Sequence, residues 1–217
     1  MKKLTRRELL KSIGIAGIGT GAGLFALNRL FREEYSDLFQ DNYKTSMDSD
    51  LEKRVQDLHN VIEDSKKQYK YILISKPEDF EIMRKKPYGY YELKNDIDLS
   101  GIDFEPIGTY IQQARLHFNG NNHTIYNLTI DGTGKGCSGL FSYTQPTSII
   151  YDLTLENPSV LGYSNIGLFV GLNNGALVNC HVTNGRIEVT FYAGGLVGAN
   201  ESKGNSYSAI IEYCSAN

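Results

Sequence analysis

Tryptophan is absent from this chain, and cysteine and histidine are scarce, at three and four residues. An odd cysteine count rules out a complete disulfide framework. No Cys-x-x-Cys or Cys-x-x-His pair occurs, so zinc ligation of the usual spacing is excluded. His117 and His123 flank a turn, His181 falls at an outward position and His59 lies beside a helical stripe, which assembles neither a metal group nor a triad. No serine occupies a Gly-x-Ser-x-Gly elbow. Basic charge is equally lacking over most of the length. Residues 1–32 hold seven basic groups and one acidic, and the formal total of -3 leaves -9 for residues 33–217. Nucleic-acid binding rests on Lys and Arg, so a nucleic-acid partner is excluded.

What is abundant is glycine, with 22 residues, and a recurring phrase in the second half. Gly139-Leu140-Phe141, Gly167-Leu168-Phe169 and Gly195-Leu196-Val197 recur at 28-residue intervals. Between them run Asn127-Leu-Thr-Ile130, Asp152-Leu-Thr-Leu155, Asn179-Cys-His-Val182 and, after a longer insertion, Tyr213-Cys-Ser-Ala216. Each unit holds short runs with period-two alternation separated by Gly, Asn or Asp, which is strand spacing with turn chemistry. Short strands at fixed spacing stack like on like, so the pattern predicts an all-β, single-stranded parallel β-helix, a solenoid, preceded by a short helical segment. A two-sheet sandwich is the competing arrangement. The ladder core is expected from Leu128, Leu153, Cys180 and Cys214 in one inward column, with Ile130, Leu155, Val182 and Ala216 in a second. Leu140, Leu168 and Leu196 form a further column. The glycines before it predict either tight corners or positive φ.

The run Gly194-Gly-Leu-Val-Gly-Ala-Asn200, followed by Ile211-Glu-Tyr-Cys-Ser-Ala216, resembles the GLUG-type repeat of microbial surface proteins. The segments from Asp79 to Ser100 and Phe118 to Ile130 are similar to what precedes such repeats. The resemblance covers roughly Ile74 to Asn217. It implies a right-handed β-helix in an exported, adhesin-like or cell-surface protein, and it brings no catalytic residues to carry over.

The N-terminus points the same way. Thr5-Arg6-Arg7-Glu8-Leu9-Leu10-Lys11 resembles a twin-arginine export signal, with Arg6 and Arg7 as its pair. Ser12 to Leu27 follows, sixteen residues without a charge but with five glycines. As a helix that stretch rises about 24 Å, short of the roughly 30 Å hydrocarbon core. Residues 1–32 are therefore read either as a cleaved export signal or as an N-terminal membrane anchor, with membrane contact through residues 12–31 if uncleaved. The expected location is extracellular or periplasmic. Residues 33–68 read as a polar linker and an amphipathic helix, whose Leu51, Val55, Leu58 and Ile62 share one stripe. That helix, 50–66, is expected to pack on an end of the β-helix or to mediate self-association. Residues 69–217 are the β-helix, of about five or six rungs, with a short N-terminal cap helix from Pro77 to Arg84 and Ser75 as its N-cap. The final rung repeats the interior pattern without a polar cap, so the array is read as truncated at the C-terminus, or its open rung as covered by a partner.

Candidate chemistry is sparse. Asp96, Asp98, Asp152 and Glu156 are the carboxylates that a polysaccharide lyase or hydrolase would use, because glycoside cleavage needs two carboxyls about 5 to 9.5 Å apart in a groove. Asp96 and Asp98 also suit a loose Ca²⁺ perch; no other cofactor or metal is expected. Tyr88, Tyr90 and Tyr91 offer a sugar-stacking face. Asn122, Asn127 and Asn200 stand in N-x-S/T sequons and are glycosylation candidates. The resulting expectation is an exported surface module, adhesin-like or a spacer, without catalysis, whose partner is a surface protein or a glycan. A polysaccharide-acting enzyme is the alternative.

Overall fold

The structure is a computed structural model that describes residues 46–202 and 209–217. The export segment with Arg6 and Arg7, and residues 33–45 of the linker, lie outside the described residues. Among the described residues no helix is long and apolar enough to cross a membrane.

Helix α1 (Ser46–Gln68) leads into strand β1 (Ile72–Ile74), a 3-10 turn (Pro77–Asp79) and helix α2 (Phe80–Lys85). The strands that follow are β2 (Tyr88–Leu93), β3 (Ile97–Asp98), β4 (Arg115–Tyr126), β5 (Thr129–Gly132), β6 (Phe141–Tyr143), β7 (Ile149–Glu156), β8 (Ser159–Gly162), β9 (Ile166–Gly167) and β10 (Val170–Asn173). The chain then repeats the last four as β11 (Ala176–Thr183), β12 (Arg186–Val189), β13 (Ala193–Gly194) and β14 (Val197–Asn200), and ends on β15 (Ile210–Glu212) and β16 (Ser215–Ala216). Every strand pairing is parallel, each strand lying on its counterpart one coil away. The chain is a parallel β-solenoid of about four turns. The expected five or six rungs do not all close, because β1 and β2 build only on one sheet, in the order β1-β2-β4-β7-β11-β15, while two of the others are three strands deep.

Inside the coil, one apolar column runs the length of the large sheet. Leu153 pairs with Cys180 and Leu155 with Val182, which in turn pairs with Ala216. The first coil corrects the expected register. Ile125, not Ile130, stands opposite Leu155, and Leu128 is not opposite Leu153; Ile130 pairs with Val160 in a different sheet. The reason is legible in the backbone. Two columns of left-handed residues divide each coil, Asn122, Asp152, Asn179 and Tyr213 in one, Asn127, Asn157 and Asn184 in the other, all with φ between 51° and 59°. Asn and Asp tolerate that conformation better than other L-residues. Asn122-His-Thr-Ile and Asn127-Leu-Thr-Ile repeat one another five residues apart, and the sequence pattern had matched the second to a corner that the first occupies.

The left-handed corners also bond to one another. Asn157 Nδ2 donates to Asn127 Oδ1 and Asn184 Nδ2 to Asn157 Oδ1, each at 3.3 Å, while Asn179 Nδ2 donates to Asp152 Oδ1 at 2.8 Å. A buried polar ladder fills a third corner, where Thr144 Oγ1 donates to Asn173 Oδ1 at 2.7 Å and Asn173 Nδ2 to Asn200 Oδ1 at 2.9 Å. Buried amides without such partners would each be costly.

The coil length is 27 residues rather than 28 where the array is most regular: Ile149 pairs with Ala176, Ser159 with Arg186, Ile166 with Ala193 and Val170 with Val197. The Gly-Leu-Phe spacing is offset by a one-residue slip. Both Phe169 and Val170 donate to the Leu196 carbonyl there, and Leu140 donates to Leu168. Leu140 and Leu168 are buried, with Leu196 partly buried against the same core. Glycine at this corner answers to close backbone approach. A Cβ on Gly167 would lie 2.2 Å from the Val170 carbonyl oxygen and 2.6 Å from Val197 Cα.

Helix α2 differs from expectation at its start. Asp79, not Glu78, gathers the free donors, accepting from the Ser75 N–H at 2.8 Å, the Ser75 hydroxyl at 3.0 Å and the Lys76 N–H at 3.2 Å. These bonds hold the Asp79 carboxyl below the usual carboxylate range, the Ser75 N–H contributing most. Phe80 and Met83 are fully buried in the solenoid core, and Ile82 faces out. Helix α1 lies along the flank of the large sheet, not its end. Leu58 and Ile62 are buried against Ile149, Tyr151, Ala176, Val178 and Ile210, with Val55 and Val61 packed alongside. The stripe read as a route to self-association is thus occupied by the chain's own sheet, while Leu51 stays exposed. His59 joins the same contact, 2.8 Å from Glu212.

Candidate functional site

Where α1 ends, the chain turns back over the large sheet and leaves a hollow of about 540 Å³ between Asp64, Ser65, Gln68 and Tyr69 on one wall and Tyr88, Tyr90, Arg115 and His117 on the other. Strand parity makes the second wall. Tyr88 pairs with Arg115 and Tyr90 with His117, so all four share the outer face, while Tyr91 and Phe118 one step on point into the core. Tyr69 stacks on Tyr90, ring centres 4.0 Å apart and planes within 8°. Tyr71 and His117 meet Tyr90 edge-on at 5.6 Å and 4.8 Å. From Ser65 a chain of hydroxyls runs to Tyr71 and on to Tyr151, at 2.7 Å and 3.1 Å. Burial with that Tyr71 bond raises the Tyr151 phenol well above its ordinary value, so it stays a neutral donor.

A second hollow, of about 250 Å³, is lined by Pro87, Tyr88, Ile111, Gln112, Gln113, Arg115 and Gln145. Tyr88 and Arg115 belong to both hollows and form the saddle between them. Burial pushes His117 down to about 4, from an ordinary 6.5. Its Nδ1 is buried without a protein partner. A neutral ring must leave one nitrogen bare, and a bare acceptor in that position costs less than a charged imidazolium would.

The residues singled out from sequence are distributed differently. Tyr91 is buried, its hydroxyl donating to the Lys86 carbonyl at 2.6 Å, and leaves the stacking face to Tyr69, Tyr88 and Tyr90. Asp96 accepts from the Thr124 N–H at 2.9 Å and lies 3.0 Å from His123. Asp98 accepts from the Ser100 hydroxyl and N–H and from Asn127 Nδ2, at 2.7 to 2.9 Å. Those three donors, the Ser100 hydroxyl foremost, hold it below the usual carboxylate range. Asp152 sits at a left-handed corner, bonded to Asn179 and 3.9 Å from Lys66 of α1. Glu156 follows Tyr126, which follows Asp98, in one column across three coils. Two coil steps put the Asp98 and Glu156 backbones about 9.6 Å apart, with Tyr126 standing between them. Among the described residues no three His, Cys, Asp or Glu side chains gather as a metal group would.

Cys180 and Cys214 stand on neighbouring coils as free thiols, the Cys180 N–H donating to Cys214 Sγ at 3.3 Å; Cys137 is also free. Of the sequons, Asn127 and Asn200 spend their amides inside the chain: Asn127 Nδ2 on Asp98 and Ser100, Asn200 Nδ2 on the Ala209 carbonyl. Asn122 is exposed. Arg115, His117 and Tyr69 were not found from sequence. The available signal was the parity of Tyr88-x-Tyr90 with Arg115-x-His117, hidden by the 27-residue offset between the paired residues.

No family model matches this chain. It is 36% identical over 122 residues to Halomucin of Haloquadratum walsbyi, an alignment covering 52% of this chain and 1% of Halomucin. The chain therefore spans about one hundredth of that protein's length. Among solved structures it is similar to a protein provisionally described as an immunoglobulin A1 protease from Bacteroides ovatus. The TM-score is 0.53 at 22% identity, covering 67% of this chain and 47% of that one. That likeness concerns the fold alone.

Proposed function

We propose that this chain is an exported, surface-associated β-solenoid module that binds or spaces without performing catalysis. The observation that carries the reading is the 36% identity to a stretch of Halomucin, a mucin by name, in a chain folded as a parallel solenoid. The GLUG-type run Gly194 to Asn200 and the Arg6-Arg7 pair support the same placement. In this reading residues 1–32 direct export or anchor the chain, residues 33–68 join that segment to the solenoid, and residues 69–217 present the surface that meets a glycan or another surface protein. The placement of the carboxylates supports binding over glycoside cleavage: Asp98 and Glu156 stand two coils apart with Tyr126 between them, and Asp98 is taken up by the Ser100 and Asn127 donors.

The test is localisation. Protein with Arg6 and Arg7 both changed to Lys is expected to remain in the cytoplasmic fraction, while the parent chain is degraded by protease added to intact cells. Parent protein confined to the cytoplasm would contradict the surface reading; export of the double variant would remove only the twin-arginine route.

A further inference from the structure

We infer that the two hollows either side of Tyr88 and Arg115 are one groove, and that it takes a neutral, hexose-based glycan strand lying across that saddle. The inference rests on the binding reading above and adds the ligand class.

Three observations carry it. First, the shape suits a chain rather than a compact molecule. Hollows of about 540 and 250 Å³ meet at a shared cross-strand pair, so a ligand filling both must be extended and pass over Tyr88. Second, the saddle is aromatic and available. Tyr88 is 54% exposed and Tyr69 48% exposed, and Tyr69 is held rigid by its stack on Tyr90. A pyranose presents a face of C–H groups that packs on such a ring, and a ring already fixed loses little entropy on binding. Third, the polar groups are mixed and balanced. Arg115 offers a fork of donors, Asp64 offers carboxylate acceptors, Gln68, Gln112 and Gln145 offer both, and His117 is neutral above about pH 4. The formal charge of Asp64 with Arg115 is zero. An acidic strand would meet Arg115 but also Asp64, and a basic one the reverse. Hydroxyls, donors and acceptors at once, satisfy both. Nothing in the groove requires bond cleavage.

Titration calorimetry of the full-length protein against maltohexaose, cellohexaose, mannohexaose and hexa-N-acetylchitohexaose, with hexagalacturonate as the acidic arm, tests this. At least one neutral hexamer is expected to bind with a dissociation constant on the order of 0.1 to 1 mM. Tyr88→Ala should weaken that binding by about tenfold or more, and Arg115→Ala by a comparable factor. Both side chains are exposed, so the variants should keep the parent's melting temperature. Binding of hexagalacturonate alone would overturn the ligand class and leave the binding reading standing. No binding of any hexamer at millimolar concentration, or binding indifferent to Tyr88→Ala, would overturn the groove. Surface exposure on intact cells would then show whether the broader reading survives.

Discussion

Two successive coils of the solenoid, residues 149–173 and 176–200, have the same strands in register, with some positions identical, such as Val170 with Val197 and Asn173 with Asn200. Their burial differs sharply. In the first, Leu153, Leu155, Val160, Ile166, Phe169 and Val170 are all buried. In the second, Leu177, Cys180 and Val182 are buried where β15 and β16 lie over them. Past that cover, Ile187, Val189, Leu196 and Val197 are only partly buried and Ala193 is exposed. Val170 and Val197 are partners one coil apart, chemically identical, with different fates. Burial in this fold is conferred by the following coil. It is not a property of the strand's own pattern, which is how nearest-neighbour stacking generates stability in a solenoid.

The comparison can be broken most forcefully at the paired cysteines. Cys180→Asp places a carboxylate in a fully buried column and is expected to cost about 3 to 5 kcal/mol or more, enough to abolish folding. Cys214→Asp, one coil on and partly exposed, should leave the β-type circular dichroism intact and lower the melting temperature only modestly. Equal loss in both variants would contradict the contrast.

Next in size is the pH response of the flank under α1. His117 has a folded value of about 4, below its ordinary 6.5, so protons bind the unfolded chain more readily between those values. Stability is complete above about pH 6.5 and falls as pH drops toward 4, by at most about 3 kcal/mol. Urea denaturation of the parent and His117→Gln in parallel between pH 7.5 and 5 isolates this, because His59 beside Glu212 and His123 beside Asp96 are common to both proteins. His117→Gln should flatten the profile; an unchanged slope would mean that His117 is hydrated.

The matched valines give the cleanest reading. Val170→Ala should cost about 2 kcal/mol and Val197→Ala less than about 1 kcal/mol, by chemical denaturation. Smaller again is the corner ladder. Asn157→Ala forfeits two side-chain bonds and forces φ of 52° on a residue with no local compensation, for about 1 to 2 kcal/mol. Asn157→Gly restores the conformational freedom and should recover part of that loss.

Much of this was legible before the structure. The period-two runs placed β7, β11, β15 and β16, whereas β8 and β12 were not read and the Leu140, Leu168 and Leu196 column falls at turns between strands. The Leu153–Cys180 and Leu155–Val182 columns could be written from alternation alone. What failed did so for physical reasons. Two N-x-T-I phrases five residues apart made the register of the first coil ambiguous, and only the paired left-handed columns choose between them. The 28-residue interval is real between Leu140 and Leu168, but from Leu168 to Leu196 it spans a 27-residue coil with a one-residue slip at Phe169 and Val170. The stripe on α1 announced a partner without saying which, and the outward Ile149, Tyr151, Ala176 and Val178 that supply it read as ordinary strand residues. The groove was half visible in Tyr88 and Tyr90. Its other half needed the pairing of β2 with β4, which no local pattern carries.

Residue-resolved amide hydrogen exchange on the full chain tests the neighbour-conferred account most directly. Amides of β7, β8, β10 and β11 should exchange only through global unfolding, while those of β12, β13 and β14, which lack a following coil among the described residues, should exchange faster by about 10²-fold or more. Uniform protection from β7 through β14 would contradict it, because protection would then belong to each strand's own sequence.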